Sequence, residues 1–295
     1  MQFDTIKRSK LLLIGSNGKL GKKLIEENRK KNYFEIIGLS KNQGENTSLV
    51  CDATNFKNLY FCIKDLEPEI IINCAALTDV DYCENNRVDA FKVNSLIPFN
   101  IAHANKKLTN NPIIVQISTD QLYKSSEFTD LGDEEPINIY SESKLLGDSL
   151  IQEIENSCIL RTNFLFEEQI TWLREKCKSH KEFPLFEDVF CNPIEISNAA
   201  NVIFEIIRKK LNGVYNLGSS TGMSKAQIFS LIADKLFLDY SNAKFISIDE
   251  VKLLANRPKN MTSSVRRLEK ELGVSLPTLN DSVDKLVDIY KKNTK

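Results

Sequence analysis

A tyrosine four residues before a lysine shares one face of a helix with it, and the ammonium lowers the phenol pKa from its ordinary value of about 10, which makes a general acid. The spacing occurs three times in this 295-residue chain: Tyr60 with Lys64, Tyr140 with Lys144, and Tyr240 with Lys244. With 8 tyrosines and lysine at roughly one position in ten, about 0.8 such pairs arise by chance, so the surroundings must decide. Tyr60 falls in a helical pattern before Pro68 with no polar strand end ahead of it, and Tyr240 in the loop-like Asp239-Tyr240-Ser241-Asn242. Both read as surface or packing residues. Tyr140 opens a helical pattern after Pro136 and Asn138 and follows Ser118-Thr119-Asp120, which sits just past an apolar run at Ile113 to Ile117. A hydroxyl from that strand end would meet the phenol over a bound nicotinamide, so Tyr140 and Lys144 are the candidate catalytic pair.

A second cluster stands near the start. Of 11 glycines, three fall in Gly15-Ser16-Asn17-Gly18-Lys19-Leu20-Gly21, between the first apolar run and the first helical pattern. At such a turn the first glycine permits a tight bend, the second a close approach to a pyrophosphate, and the third close packing of helix on sheet. The helix start adds free N–H groups and partial positive charge. An acid selecting NAD is expected about 20 residues on, where the chain has Leu39-Ser40-Lys41. With a hydroxyl and an ammonium in its place, NADPH is favoured, and NADH stays open. The candidate cofactor-binding residues are Gly15, Asn17, Gly18, Lys19 and Leu20 of the turn, and Ser40 and Lys41. Asp52 and Ala53 join them towards the adenine, as do Cys74, Ala75 and Ala76 at a later strand end, with Tyr140 and Lys144 at the nicotinamide.

The elements that must hold these groups alternate. Short apolar runs at Leu11 to Ile14, Phe34 to Leu39, Ile70 to Asn73, Ile113 to Ile117 and Cys158 to Leu160 read as strands. Between them, helical spacing predicts helices over 19–30, 55–66, 87–105 and 140–154. The runs are continuously apolar, as strands buried on both faces are. The fold class is therefore α/β, a Rossmann-like doubly wound parallel sheet. Past about Arg161 the rhythm loosens, with helices expected over 168–178, 199–210, 225–237 and 282–292. We read residues 9–166 as the dinucleotide-binding domain and 167–295 as a smaller, mostly helical substrate lobe. Some of its segments, such as Val214 to Leu217, return to the first sheet.

Composition narrows the function. At 42% hydrophobic and 27% charged residues the chain is an ordinary globular protein, and 39 basic against 40 acidic side chains give no positive field for nucleic acid or anionic lipid. The 7 cysteines form an odd set without a C-x-x-C pair and read as reduced thiols, and the 2 histidines make no metal site. The basic start at Lys7, Arg8 and Lys10 is followed by only four apolar residues, shorter than the ~7–15 of a secretory leader. A cytoplasmic protein is expected, without a membrane span.

With these residues in hand the chain resembles an extended short-chain dehydrogenase/reductase and, more narrowly, the dTDP-4-dehydrorhamnose reductase family. The resemblance runs almost end to end, through the glycine turn, Asn73-Cys74-Ala75-Ala76-Leu77-Thr78-Asp79-Val80-Asp81, Ser118-Thr119-Asp120, Asn138-Ile139-Tyr140-Ser141-Glu142-Ser143-Lys144, Arg161-Thr162 and Arg257-Pro258-Lys259-Asn260. It implies hydride transfer from NAD(P)H to the 4-keto carbon of a nucleotide-linked deoxysugar, with Thr119 and Tyr140 at the carbonyl oxygen. It places Lys144 on the nicotinamide ribose, and Thr78, Val80, Asp120 and Phe164 on the sugar. Some relatives pair as dimers, sometimes with Mg²⁺, for which no carboxylate cluster matches here. The chain departs from the family at Arg161-Thr162-Asn163-Phe164, where tryptophan is usual, and at Ile194 and Met261, where hydroxyl residues are. Two other readings stay open: an NADP-binding regulatory subunit like that of methionine adenosyltransferase, and an NAD-retaining sugar epimerase.

Overall fold

The computed structural model describes residues 8–123, 128–132 and 134–294, so Lys7 lies outside them. The strands are β1 (Lys10–Ile14), β2 (Glu35–Ser40), β3 (Leu49–Val50), β4 (Ile70–Asn73), β5 (Ile113–Thr119), β6 (Ser157–Thr162), β7 (Phe164–Leu165), β8 (Phe183–Phe186), β9 (Phe190–Cys191), β10 (Ile194–Glu195), β11 (Gly213–Leu217), β12 (Met223–Ser224) and β13 (Ala243–Ile246). The helices are α1 (Lys19–Lys31), α2 (Phe56–Leu66), α3 (Val80–Asn85), α4 (Arg87–Asn94), α5 (Leu96–Asn105), α6 (Ile139–Gln152), α7 (Glu167–Ser179), α8 (Ile196–Lys209), α9 (Lys225–Lys235), α10 (Arg266–Leu272) and α11 (Leu279–Asn293).

Seven strands form one sheet in the order β11-β6-β5-β4-β1-β2-β3. β1 pairs in parallel with both β2 and β4, and Leu11 to Ile14 are all at most 1% exposed. A strand buried on both faces has no polar alternation to show, which is why the run reads as continuous. The fold is α/β and Rossmann-like, and β11 lies at one edge of the sheet, where Val214 to Leu217 were expected to return.

By internal packing the chain groups into two units. The first holds Met1–Ser118, Ser143–Leu160 and Ile203–Val214; the second holds Thr119–Glu142, Arg161–Val202 and Tyr215–Lys295. The chain passes between these units along β5, α6, β6, α8 and β11. The second unit has its own apolar core, built from α7, α9 and α11 with β8. Trp172 stands edge-on to Phe183 at 5.7 Å and 5.0 Å from Phe229. Its two-stranded pairings, β10 with β7, β12 with β9 and β13 with β8, were not expected: strands this short carry no periodicity.

Two expectations need correction. The helix predicted over 87–105 is two helices, α4 and α5, that meet at Ser95. Pro98 sits in the first turn of α5, where its missing N–H is harmless, but its ring would clash with the carbonyl four residues back in an unbroken helix. The strand predicted to stop at Ile117 runs on through Thr119, so Ser118 and Thr119 lie within β5, and Asp120 opens a short 3-10 turn.

Candidate functional site

The glycine turn is tight for steric reasons. Gly15 has φ +83°, a left-handed value that favours glycine, and a Cβ there would stand 2.7 Å from the Ala75 nitrogen. A Cβ on Gly21 would lie 2.4 Å from the Gly15 carbonyl oxygen, so α1 rests directly on the turn. The Gly15 and Ser16 N–H groups donate to Leu39 O at 2.9 and 3.3 Å, and the Ser16 and Ser40 hydroxyls are 2.9 Å apart. The ends of β1, β2 and β4 are thereby tied together around one cavity of about 530 Å³.

Ten of the candidate cofactor residues line that cavity: Gly15, Asn17, Gly18, Ser40, Lys41, Asp52, Ala53, Cys74, Ala75 and Ala76. Lys19, exposed, Leu20, buried, and the buried Tyr140 and Lys144 are not among its lining residues. Asn17 is already committed: its amide donates to Ser40 Oγ at 3.1 Å and Thr47 Oγ1 at 2.7 Å and accepts from Asn46 N at 3.2 Å, which holds the 42–47 loop beside the turn. Lys41 is also engaged, with Nζ 3.1 Å from Asp52 Oδ2. The sequence suggested no carboxylate near the second strand's end, yet β3 pairs in parallel with β2 and brings Asp52 alongside. Hydrogen bonds from Thr54, together with Lys41, hold the Asp52 carboxyl below its ordinary value despite partial burial.

On the opposite wall, Asn73 accepts from Ala75 N at 3.1 Å and donates to Gln116 at 2.8 Å, which shapes the Cys74–Ala76 turn. Fully buried Asn94 grips the next residue twice, accepting from Leu77 N at 2.9 Å and donating to Leu77 O at 3.0 Å, and also donates to Ser143 Oγ. Sequence reasoning gave Asn94 no role. It also missed Tyr82, Asp89 and Lys92, which line the cavity; the signal available was the i, i+3 spacing of Asp89 and Lys92 on one helix face.

Tyr140 and Lys144 lie four residues apart on α6, 7% and 1% exposed. The helix is capped by Asn138, whose side chain accepts from Ser141 N at 2.8 Å. Lys144 Nζ donates to Ile117 O on β5 at 2.7 Å. Burial pulls the Lys144 pKa below its ordinary value, opposed chiefly by the Asp148 carboxylate. Cys74, a cavity residue, has its thiol pushed up to about 12 by burial, with Lys144 opposing. Ser118 donates to Asp148 Oδ2 at 2.6 Å. The other two tyrosines are placed elsewhere: Tyr60 stacks on Phe56 at 5.7 Å, and Tyr240 donates to Asp234 Oδ1 at 3.1 Å while Lys244 pairs with Glu182.

In the second unit Thr119 is buried and donates to Asp120 Oδ1 at 3.3 Å. Phe164, in β7, is register partner of Ile194 and stands edge-on to Phe166 at 5.9 Å. Ile194 is fully buried, and Met261, 4% exposed, belongs to the apolar core. The apolar side chains at 194 and 261 are thus accounted for by packing. In the first unit Thr78 is exposed and Val80 buried at the start of α3; neither lines the cavity.

A parallel sheet in this order, a glycine turn at its first crossover and a lined cavity across the strand ends define an α/β protein of the dinucleotide-binding class. The chain belongs to the family described as RmlD substrate binding domain, whose model matches residues 9–292. It is 25% identical over 289 residues to a probable low-salt glycan biosynthesis reductase, Agl14, of Haloferax volcanii, covering 91% of this chain and 94% of that one. It is 25% identical over 285 residues to a dTDP-4-dehydrorhamnose reductase of Aggregatibacter actinomycetemcomitans, covering 90% and 94%. A methionine adenosyltransferase 2 subunit beta of Danio rerio is 24% identical, with 90% and 86% covered. The crystal structure of a dTDP-4-dehydrorhamnose reductase from Bacillus anthracis in complex with NADP superposes with a TM-score of 0.86 at 24% identity, covering 96% of this chain and all of that one.

Proposed function

We propose that the protein is an NADPH-dependent reductase of a nucleotide-linked 4-keto-6-deoxysugar, similar in activity to dTDP-4-dehydrorhamnose reductase. One observation carries the reading. The buried Lys144 ammonium is bonded to the end of β5, with cavity residue Cys74 near enough to perturb it, and Tyr140 is one helical turn away on the same helix. A charge buried from solvent is costly, and a buried, perturbed ionisable group beside a cavity marks a candidate functional site.

The residues fit a dinucleotide. Gly15 and Gly18 leave the backbone bare where a pyrophosphate needs close approach, and Ser40 and Lys41 offer a hydroxyl and an ammonium to a 2′-phosphate. Asp52 and Ala53 stand at the adenine end, with Cys74, Ala75 and Ala76 on the facing wall. When bound, NADPH supplies the hydride. Tyr140 then gives its proton to the carbonyl oxygen as negative charge grows there, and Thr119 donates a hydrogen bond to the same oxygen. Lys144 orients the nicotinamide ribose, and solvent returns the proton to Tyr140. Thr78, Val80, Asp120 and Phe164 are assigned to the sugar nucleotide; residues 9–166 serve the cofactor and carry these four, and 167–295 form the rest of the substrate lobe. Among the described residues no helix is long and apolar enough to cross a membrane. A cytoplasmic homodimer is the proposed state of the enzyme.

The test is NADPH oxidation with a panel of dTDP-, GDP- and CDP-linked 4-keto sugars. Turnover with a dTDP-linked member is expected. Tight NADP binding without turnover of any sugar would favour the regulatory reading that the methionine adenosyltransferase relative represents, and purified protein retaining NAD with no net NADPH use would favour the epimerase.

A further inference from the structure

The rim of the dinucleotide cavity carries residues that the proposed chemistry leaves unassigned. Asp89, Val93 and Ile97 recur at every fourth position along α4 and α5 and all line the cavity. Ser95 between the two helices keeps right-handed helical angles, so the three form one stripe. Ile97 is buried and Asp89 exposed, and Asn100, one turn beyond Ile97, donates to Ala53 O at 2.9 Å. The deep end of the stripe therefore stands at the adenine end of the cavity, and its outer end at the mouth. Tyr82 meets that outer end. Its hydroxyl donates to Asp89 Oδ2 at 3.2 Å, and its side chain lines the cavity while the residue stays 44% exposed. Among the described residues that line the cavity it is the one aromatic. The backbone beneath it is fixed: the Asp79 side chain accepts from Tyr82 N at 2.9 Å, and the Asn86 amide donates to Tyr82 O at 2.9 Å. The ring is thus a flap on a rigid base, tethered by a long bond in solvent that breaks readily.

We propose that Tyr82 is a cofactor-binding residue, whose ring covers the adenine at the cavity mouth and whose bond to Asp89 sets how fast the dinucleotide leaves. The inference rests on the dinucleotide reading of the cavity and adds the regulation of that site. A flat purine is held best between apolar faces. Ala53 and Ile97 offer such contact from inside, and the Tyr82 ring supplies an aromatic face from outside while its hydroxyl stays bound. The hydrogen bond to Asp89 also raises the Tyr82 pKa, so the phenol remains a donor and the tether persists through neutral pH. Release of the oxidised cofactor must then wait for the flap to open, and opening of this kind limits turnover in many enzymes.

The experiment measures, by calorimetry, binding of NADPH and of adenosine 2′,5′-bisphosphate, which carries the adenine half alone, and follows NADPH release by stopped-flow fluorescence. Tyr82→Ala should weaken both ligands by the same factor, about tenfold, and Tyr82→Trp should keep the parent affinity. Tyr82→Phe and Asp89→Ala should each speed release about threefold. The double variant should release no faster than either, because both changes remove one bond. Equal affinity of the parent and Tyr82→Ala for the adenosine probe, or a loss confined to NADPH, would overturn the cover. Additive effects of Tyr82→Phe and Asp89→Ala would overturn the tether. A parent protein that binds neither ligand refutes the dinucleotide reading, and the cover with it, whereas tight binding of the probe with no change in Tyr82→Ala refutes the cover alone.

Discussion

Tyr140 and Lys144 carry the sharpest expectations. Tyr140→Phe removes the proton donor, so turnover should fall by the ~10²–10⁴ of general acid catalysis while NADPH binding, measured by fluorescence, is kept. Unchanged turnover would remove the mechanism. Lys144 makes a stability prediction as well. Its pKa is depressed in the folded protein, so between the folded value and the unfolded value of about 10.4 the unfolded chain binds more protons, and stability of the unliganded protein rises with pH through that window. Lys144→Met should flatten this slope and raise the neutral-pH Tm by about 2 °C or more while abolishing turnover; a lower Tm would mean that its bond to Ile117 outweighs the burial of charge. At the adenine end, Lys41→Ala should weaken NADPH binding relative to NADH, and Asp52→Asn, which frees Lys41, should strengthen that preference. The placement of Tyr140 and Lys144 on one helix and the tight glycine turn were legible because both are written in local spacing. Asp52 beside Lys41 was not, since that contact depends on a two-residue strand joining β2.

At the scale of elements, α1 is held to the sheet by a contact that admits no side chain. Gly21→Ala drives a Cβ into the backbone of Gly15 and Ser16 and should cost roughly 1–3 kcal/mol in chemical denaturation together with a loss of NADPH affinity. A neutral effect would show that the turn yields more easily than its hydrogen bonds imply. Strands buried on both faces could be read from the sequence because they are continuously apolar, and α1 and α2 because their apolar residues recur at regular helical spacing; their ends at left-handed Asn32 and Glu67 appear only in the structure. The split between α4 and α5 was readable in Pro98, but apolar spacing ran through the break and masked it. The short strands of the second unit, β7, β9, β10 and β12, were invisible for lack of any period, so Phe164 was read as a sugar contact without its partner Ile194 coming into view.

For the whole molecule, the order of the sheet sets a requirement that no local segment meets. β6 is buried along its entire length and has β5 on one side and β11 on the other. A fragment of residues 9–166 contains every motif of the nucleotide site but leaves one side of β6 open. Such an edge pairs with other chains, so the fragment should self-associate in light scattering even with NADPH present; a soluble monomer would contradict this account. The same arrangement matters during synthesis. The sealing strand leaves the ribosome only after the stretch from residue 162 to residue 213 has been made, roughly 3–10 s at usual elongation rates. Until then the nascent chain displays an unpaired strand edge, so its yield in a cell should depend on holdase chaperones and on how quickly those intervening codons are read.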